Sequence, residues 1–253
     1  MYAAERHETI LERARAQGRV EVGALAESLG VTVETVRRDL TALERFGVVR
    51  RVHGGAIPVE RLTLEPTLAT REAQRSEQKQ SIAERAVQEI PDGASILLDS
   101  GTTTLAIATM LPQDKSFTVV TNSVAVATRL ADRPGIELML LGGRIRSRTG
   151  AAVGRWLLSA LSDMYVDVAF LGTNGFSVAR GFTTPDQAES TAKHAMVAAS
   201  RRVIVVADAW KAGQVHLHRF ADTDEVAMLV TDASLDDETT EDFDAAGVEV
   251  VRT

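Results

Sequence analysis

Apolar residues recur at helical spacing in the first part of the chain. Between residues 5 and 17 they fall three and four positions apart, and Gly18 follows where helices commonly end on glycine. Residues 22–29 repeat this spacing and are followed by Gly30. The pattern predicts two helices, with a tight glycine turn after the second.

A third, strongly amphipathic helix is predicted to begin at residue 33. Thr32 offers an N-cap hydroxyl, and Glu34 places a negative charge in the first turn. Apolar positions then repeat at intervals of three, four and three, at Val33, Val36, Leu40 and Leu43. At about 100° per residue, the outward face carries Glu34, Thr35, Arg38, Thr41, Ala42 and Arg45, with Arg37 at its edge. This face can contact DNA.

An extended basic run, residues 48–56, follows the third helix and closes with paired glycines. It contains Arg50, Arg51 and His53 and is typical of a β-wing that lies along phosphates. Two short helices joined by a tight turn, with Thr and Arg on the second, predict a winged helix-turn-helix whose recognition helix enters the major groove. A three-helix interaction bundle without nucleic acid is the alternative.

The pattern changes after this unit. Residues 58–70 are polar, contain two prolines and follow no clear periodicity, so they predict a linker. A long amphipathic helix is predicted over residues 71–90. Seven short apolar runs then alternate with stretches long enough for crossover helices, at residues 94–99, 117–121, 136–141, 166–172, 202–208, 226–232 and 248–251. Such uniformly apolar strands are covered on both faces, which indicates a Rossmann-like parallel α/β domain.

Small polar residues follow several of these predicted strands. They are Asp99, Ser100, Gly101, Thr102, Thr103 and Thr104 after the first; Thr121, Asn122 and Ser123; Gly142, Gly143 and Arg144; Gly172, Thr173, Asn174 and Gly175; and Asp208. Because the carboxyl ends of parallel strands share one edge, we expect these residues to converge. Glycine and successive backbone N–H groups at a helix N-terminus favour an anion, so the loop after the first strand predicts a phosphate site, with an ordinary capped turn as the alternative.

Two lysines and an arginine cluster extend this candidate site. Lys211 follows Asp208 by three residues, at the functional end of a strand. Lys193 lies four residues after Glu189, so the two are either site residues or a plain surface pair. Three arginines at positions 144, 146 and 148 either clamp phosphate, pair with acidic surface or are solvated.

Composition narrows the function. The 253-residue chain has net charge −7, yet residues 1–60 carry nine basic and nine acidic side chains, so the whole deficit lies downstream. The absence of cysteine excludes disulfides and thiolate metal sites, and His216 and His218 lack a third ligand nearby, so we expect neither metal nor cofactor. No apolar run is long enough for a membrane span, and the N-terminus does not resemble a secretory signal, so we expect a cytoplasmic protein.

The segment from residue 20 to residue 56 closely resembles the DNA-binding signature of DeoR-type (also called GlpR-type) sugar-metabolism repressors. It shares their Arg-Arg-Asp-Leu core at residues 37–40 and their His-Gly-Gly-Ala wing at residues 53–56. The resemblance implies that Thr35, Arg37 and Arg38 meet the operator, and that Arg50, Arg51 and His53 meet its backbone. Asp39 is interpreted as a helix-stabilising partner for a nearby arginine.

The second half resembles the effector domain of the same family, in its Asp-Ser-Gly-Thr-Thr loop, its Thr-Asn-Ser and Gly-Gly motifs, and its Asp followed three residues later by Lys. This implies a fold similar to ribose-5-phosphate isomerase and a pocket for a phosphorylated sugar or related metabolite that modulates operator binding. The sequence leaves open whether the metabolite releases or strengthens binding, and the resemblance favours release. Family members often carry Ser before this Lys and Phe after it, whereas this chain has Trp210 before Lys211 and Ala212 after it.

The combined prediction is a repressor of carbohydrate metabolism with a winged helix-turn-helix at residues 1–57, a linker at 58–70 and an effector-sensing α/β domain at 71–253. Its partners are operator DNA, bound as a homodimer or homotetramer, and a phosphorylated sugar or related metabolite; no membrane is involved. The predicted DNA-binding residues are Thr32, Glu34, Thr35, Arg37, Arg38, Thr41, Arg50, Arg51 and His53. The predicted effector ligands are the strand-end residues named above other than Thr173, together with Glu189, Lys193 and Lys211.

A phosphosugar isomerase fused to a DNA-binding domain is the alternative. Enediol chemistry needs a positioned carboxylate base, for which Asp99, Glu189 and Asp208 are candidates. The loop at residues 172–175 offers only an amide and a hydroxyl. The sequence therefore favours a sensor without catalysis.

Overall fold

The computed structural model describes residues 3–45, 48–58, 68, 71 and 75–253. The chain divides into two compact units, residues 1–65 and 66–253. Most of the predicted linker, residues 58–70, lies outside the described residues. The predicted domain boundaries therefore stay predictions.

The first unit contains three helices and a small antiparallel sheet. Its elements are α1 (Ala3–Gln17), β1 (Val20–Glu21), α2 (Val22–Leu29), α3 (Val33–Arg45), β2 (Val49–Val52) and β3 (Gly55–Pro58). The strand order is β1-β3-β2. Gly30 ends α2 in the left-handed conformation, φ 65°, which glycine adopts without steric penalty. The three helices and the wing hairpin agree with the sequence pattern, while the two-residue strand β1 was not predicted.

Among the described residues, the core of this unit is apolar except for the Asp39 carboxylate. Ile10, Val36 and Leu40 are fully buried, as their spacing predicts. Val33, however, is 42% exposed, so its predicted burial is wrong: it is the first helical residue and lies beyond the cluster that α1 and α2 cover. Asp39 is buried in its place on the inner face.

Asp39 links α3 to α1. It accepts hydrogen bonds from Arg6 Nε at 2.8 Å and Nη2 at 3.1 Å, and its Oδ1 lies 3.0 Å from His7 Nε2. Burial raises the pKa of the Asp39 carboxyl, but the bonds from Arg6 and His7 outweigh it and hold the pKa below its usual value. The predicted arginine partner of Asp39 is thus found, on a different helix.

The second unit is a parallel sheet with helices on both faces. Its helices are α4 (Ser76–Val87), α5 (Thr102–Met110), α6 (Val124–Leu130), α7 (Arg155–Leu161), α8 (Gln187–Ala198) and α9 (Asp237–Ala245). Its strands are β4 (Ser95–Leu98), β5 (Phe117–Thr121), β6 (Ile136–Leu140), β7 (Arg144–Ile145), β8 (Ala152–Val153), β9 (Val166–Gly172), β10 (Gly175–Ser177), β11 (Gly181–Thr184), β12 (Ser200–Val206), β13 (His218–Ala221), β14 (Met228–Thr231) and β15 (Glu249–Arg252).

Within the described residues, the main sheet has seven parallel strands in the order β15-β14-β12-β9-β4-β5-β6. Each corresponds to one of the seven predicted apolar runs. Alternate side chains enter separate clusters on the two faces: Leu97 belongs to one, and its neighbours Ile96 and Leu98 to the other. Burial on both faces explains why these strands lack polar alternation.

Helix α4 covers only part of the predicted span of 71–90, of which residues 72–74 lie outside the described residues. It begins after Arg75, which has φ 55° and ψ 45°, a left-handed conformation that interrupts a helix. At the other end, the N–H groups of Gln88 and Glu89 bond three residues back, to Arg85 and Ala86, so the helix tightens into turns.

Candidate functional site: a helix-turn-helix surface and a cationic cleft

The outer face of α3 presents most of the predicted DNA contacts to solvent. Glu34, Arg37, Arg38 and Thr41 are exposed, and Thr35 is half-buried. Thr32 accepts the Thr35 N–H at 3.2 Å, which makes it the N-cap predicted for this helix. Arg38 forms no hydrogen bond or ion pair within the described part of the chain, so its guanidinium is available to a base edge.

Thr41 connects α3 to the wing. It donates to Arg37 O at 2.8 Å and accepts from Arg51 Nη1 at 3.2 Å. The backbone N–H of Arg51 also donates to Glu44 at 2.8 Å. These bonds fix Arg51 beside the recognition helix.

The other two wing residues differ from Arg51. Arg50 is half-buried and points to the opposite face of β2, where burial lowers the pKa of its guanidinium against the attraction of Glu44. His53 is exposed at the turn between β2 and β3, and its carbonyl accepts from Arg19 Nη2 at 2.6 Å. Arg51 and His53 are therefore accessible, whereas Arg50 is only partly so.

The second unit contains a narrow cleft at the carboxyl ends of β4, β9 and β12. It holds about 560 Å³ of empty space, part of it open to solvent. Its lining combines cations, hydroxyls and few acids: Arg71, Arg75, Lys79, Ser100, Gly101, Thr102, Thr103, Thr104, Gly172, Thr173, Asn174, Glu189, Lys193, Asp208, Trp210 and Lys211. The structure thus brings predicted ligands that are far apart in sequence, from Ser100 to Lys211, into one cavity.

A buried ion pair forms the floor of the cleft. Lys193 on α8 contacts Asp99 and also donates to Gly172 O at 2.8 Å, while Gly172 N donates to Asp99 at 3.2 Å. Burial raises the pKa of the Asp99 carboxyl, and contact with Lys193 opposes that rise. Asp99 therefore lies beneath the cleft and serves to hold Lys193.

Glu189 does not pair with Lys193, so the surface-pair interpretation is wrong. It binds Arg146 Nη1 and Thr149 Oγ1, each at 2.5 Å, and it is buried. Arg146 also binds Asp186 at 3.1 Å. Of the alternatives for the arginine cluster, pairing with acidic groups is the one observed for Arg146.

Lys211 faces the cleft beside Asp208, at 3.7 Å between Nζ and Oδ2. Burial lowers the pKa of Lys211 to about 8, the attraction of Asp208 opposes this, and the positive charges of Arg71, Lys79 and Lys193 lower it further. Lys211 is therefore a titratable cation in a site already rich in positive charge.

Five lining residues were not among the predicted effector ligands: Arg71, Arg75, Lys79, Thr173 and Trp210. Lys79 is buried and donates to Arg71 O at 2.6 Å. The signal for it was present, because Lys79 occupies the apolar face of α4, three residues before Ile82. Arg71 carries two buried guanidinium nitrogens, Nε and Nη2, without a hydrogen-bond partner in the described residues.

Besides Asp99, seven predicted ligands lie outside the wall of the cleft. Three of them use their side chains locally: Thr121 donates to Leu98 O at 2.6 Å, Asn122 donates to Ala152 O at 3.1 Å, and Ser123 caps α6. Arg144 and Gly142 are exposed around the start of β7.

The remaining two, Gly143 and Gly175, lie where the close packing of the backbone leaves no room for a Cβ. Gly143 has φ 151°, and a Cβ there would meet Val153 O at 2.6 Å. A Cβ on Gly175 would collide with the Gln214 backbone. Close backbone approach explains both glycines without a ligand.

Comparison with known proteins decides the family. The DeoR-like helix-turn-helix domain matches residues 6–61, and the DeoR C-terminal sensor domain matches residues 74–233. The chain belongs to the DeoR family of transcriptional regulators. Both DeoR domains are thus present in one chain, in the order that the sequence predicts.

Relatives match over nearly the full length. The HTH-type transcriptional regulator GlpR of Haloferax volcanii is 39% identical over 99% of this chain and 98% of its own. The putative aga operon transcriptional repressor of Escherichia coli O157:H7 is 34% identical over 98% and 93%, and the glycerol-3-phosphate regulon repressor of Escherichia coli K12 is 31% identical over 92% of each.

Among solved structures, ribose 5-phosphate isomerase A of Methanocaldococcus jannaschii covers 55% of each chain at 16% identity, with a TM-score of 0.42. So small a likeness carries no argument about chemistry. The parallel α/β fold rests on the strands and helices themselves. Within the described residues, no helix is both long and apolar enough to span a membrane.

Proposed function

We propose that this DeoR-family regulator represses genes of carbohydrate metabolism. It releases its operator when the cleft of the second unit, here called the sensor unit, binds a phosphorylated sugar or a related metabolite. One observation carries the proposal: the cleft places five cationic side chains around a hydroxyl-rich loop at the N-terminus of α5. The cations are Arg71, Arg75, Lys79, Lys193 and Lys211.

The loop before α5 is suited to a phosphate. The first N–H groups of a helix lack intrahelical acceptors, and the helix dipole favours negative charge there. Thr104 is occupied by its bond to Asp99 O at 2.6 Å, but Ser100, Thr102 and Thr103 line the cleft. The names of two relatives, an aga operon repressor and a glycerol-3-phosphate regulon repressor, support a metabolite of this class.

Ligand binding tests the cleft. Thr103→Val removes a hydroxyl at nearly constant volume, and a hydrogen bond to a charged group contributes about 1.5–3 kcal/mol, so affinity for the effector should fall about tenfold or more. Thr109→Val, on the same helix but outside the cleft, is the matched control. A thermal-shift screen of sugar phosphates and glycerol 3-phosphate measures both variants. If no phosphorylated compound stabilises the wild-type protein, the sensing half of the proposal fails.

We propose that the sensor unit has no isomerase activity, because each candidate base is already engaged. Asp99 contacts Lys193, Glu189 binds Arg146 and Thr149, and Asp208 lies beside Lys211. Incubation of purified protein with pentose and hexose phosphates tests this point. Turnover that Glu189→Gln abolishes would establish the enzyme alternative.

The two units act together through assembly. A single winged helix contacts few base pairs, so we expect a symmetric dimer or tetramer that binds two half-sites. An effector that prefers one arrangement shifts DNA affinity by roughly 1–3 kcal/mol, and operator DNA must shift effector affinity equally. Calorimetric titration of the effector with and without operator checks this reciprocity. An effector affinity that operator does not change would refute the coupling.

A further inference from the structure

Arg75 stands out among the residues that line the cleft. It is the only non-glycine residue with positive φ in the described part of the chain. Such a conformation is unfavourable for a residue with a Cβ and persists where the surroundings hold it. Here the guanidinium carbon lies 5.3 Å from the centre of the Trp210 ring.

The contact with Trp210 leaves the hydrogen-bonding edge of Arg75 unused. A guanidinium that stacks on an aromatic face keeps its N–H donors in the plane, where they can bind an oxyanion bidentately. Within the described residues, the Arg75 side chain forms no ion pair and no hydrogen bond. Trp210 is itself anchored, since its Nε1 donates to Asp208 at 3.3 Å and its carbonyl accepts from Gln214 at 2.8 Å. Arg75 is thus a fixed donor with an open edge on the cleft.

The balance of charge indicates what this donor binds. Lys193 is matched by Asp99, Lys211 faces Asp208, and Lys79 donates to the Arg71 carbonyl at 2.6 Å. Arg71 and Arg75 have no acidic partner among the described residues, and two Arg71 nitrogens are buried unpaired. Two unmatched guanidinium groups suit an anion with two charges.

We propose that Arg75, positioned by Trp210, is a specificity-determining ligand for the doubly charged phosphate of a phosphomonoester effector. The proposal rests on the effector site described under Proposed function and adds a residue and a ligand charge to it. A phosphodiester, with a single charge and fewer free oxygens, is discriminated against. Trp210 acts as a positioning residue.

Tryptophan emission reports on this pair directly. The chain has two tryptophans, and Trp156 is 77% exposed on α7, so Trp156→Phe leaves Trp210 as the sole emitter. Full-length Trp156→Phe protein is titrated with methyl phosphate, which is mostly a dianion at neutral pH because its second pKa is about 6. Dimethyl phosphate, a monoanion, is titrated in parallel.

In the Trp156→Phe background, Arg75→Gln should weaken methyl phosphate binding about tenfold and abolish the change in Trp210 emission, with dimethyl phosphate binding nearly unchanged. Arg75→Lys, which keeps the charge but loses the planar donor pair, should fall between. Trp210→Ala should weaken methyl phosphate binding, measured by calorimetry, although Arg75 is retained. Arg180→Gln, an exposed arginine outside the cleft, is the matched control.

The outcomes separate this inference from the proposed function. If Arg75→Gln binds methyl phosphate with unchanged affinity and emission response, the role of Arg75 is refuted while the effector cleft stands. If Arg75→Gln weakens both phosphates equally, charge selection is refuted. If Trp156→Phe protein responds to neither methyl phosphate nor glycerol 3-phosphate in emission or thermal stability, both proposals fail.

Discussion

The Asp99–Lys193 pair allows a quantitative test of how the sensor unit is held together. Only 2% of the Asp99 side chain and 5% of the Lys193 side chain are exposed. Within the described part of the chain, Lys193→Met leaves the buried carboxylate without a positive partner and with only backbone N–H donors, from Gly172 at 3.2 Å and from Ser100. Removing one partner of a buried pair costs about 3–5 kcal/mol, a large share of a typical stability of roughly 5–15 kcal/mol.

The assay is urea and thermal unfolding of the ligand-free protein, followed by circular dichroism. For a unit of this size we expect the midpoint of the sensor transition to fall by about 6–20 °C. The double variant Asp99→Asn/Lys193→Met should recover most of this loss, because it removes both charges together. Arg219→Ala breaks the exposed pair with Asp222 and should cost at most about 1 kcal/mol. A Lys193→Met loss no larger than that of Arg219→Ala would refute the reasoning.

Effector affinity, measured by calorimetry, should fall as the pH rises through about 8, because Lys211 then loses its charge. The ligand-free fold should gain stability in denaturation experiments over the same pH range, since Lys211 in the unfolded chain keeps its proton up to its usual pKa. An effector affinity that does not change with pH would contradict the first expectation. In gel shifts, Arg38→Ala should reduce the preference for operator over random DNA by about 1–3 kcal/mol. Arg51→Ala should weaken binding to operator and random DNA alike and make DNA affinity less dependent on salt concentration. Equal losses of affinity on both DNAs for Arg38→Ala would count against base reading. The pKa of Asp39 is lowered in the folded first unit, so its carboxylate stabilises this unit at pH values above the ordinary pKa of 3.8. This stabilisation should be lost as the pH falls from 3.8 through the lowered pKa. Acid unfolding measures the loss, and the Asp39→Asn variant should not show it.

Elements with strong periodicity were predicted well from the sequence. The seven apolar runs each form one strand of the parallel sheet, and α2 has the bounds that its spacing indicates. Errors occurred where local geometry overrides pattern. Helix α4 begins late because Arg75 is left-handed, and Val33 is exposed because it precedes the packed part of α3.

The candidate site was predicted in part. The loop before α5 and the two lysines reach the cleft, since the carboxyl ends of neighbouring parallel strands meet there. Strand ends farther along the sheet, such as Thr121 at the end of β5, do not reach it. Arg71 was missed because it precedes the sheet in sequence and reaches the cleft only through the fold, whereas Lys79 could have been found from its place on the apolar face of α4.

The buried Asp99–Lys193 ion pair under the cleft has a consequence for how such regulators evolve. Because Lys193 is paired with Asp99 without any ligand, we expect the second unit to fold whether or not a metabolite is bound. Arg75 and Trp210 also line the cleft, and neither is part of the buried core, so we expect substitutions there to disturb the core little. Substitutions at Arg75 and Trp210 could therefore change which metabolite the regulator binds during evolution, while the fold that supports the cleft is kept.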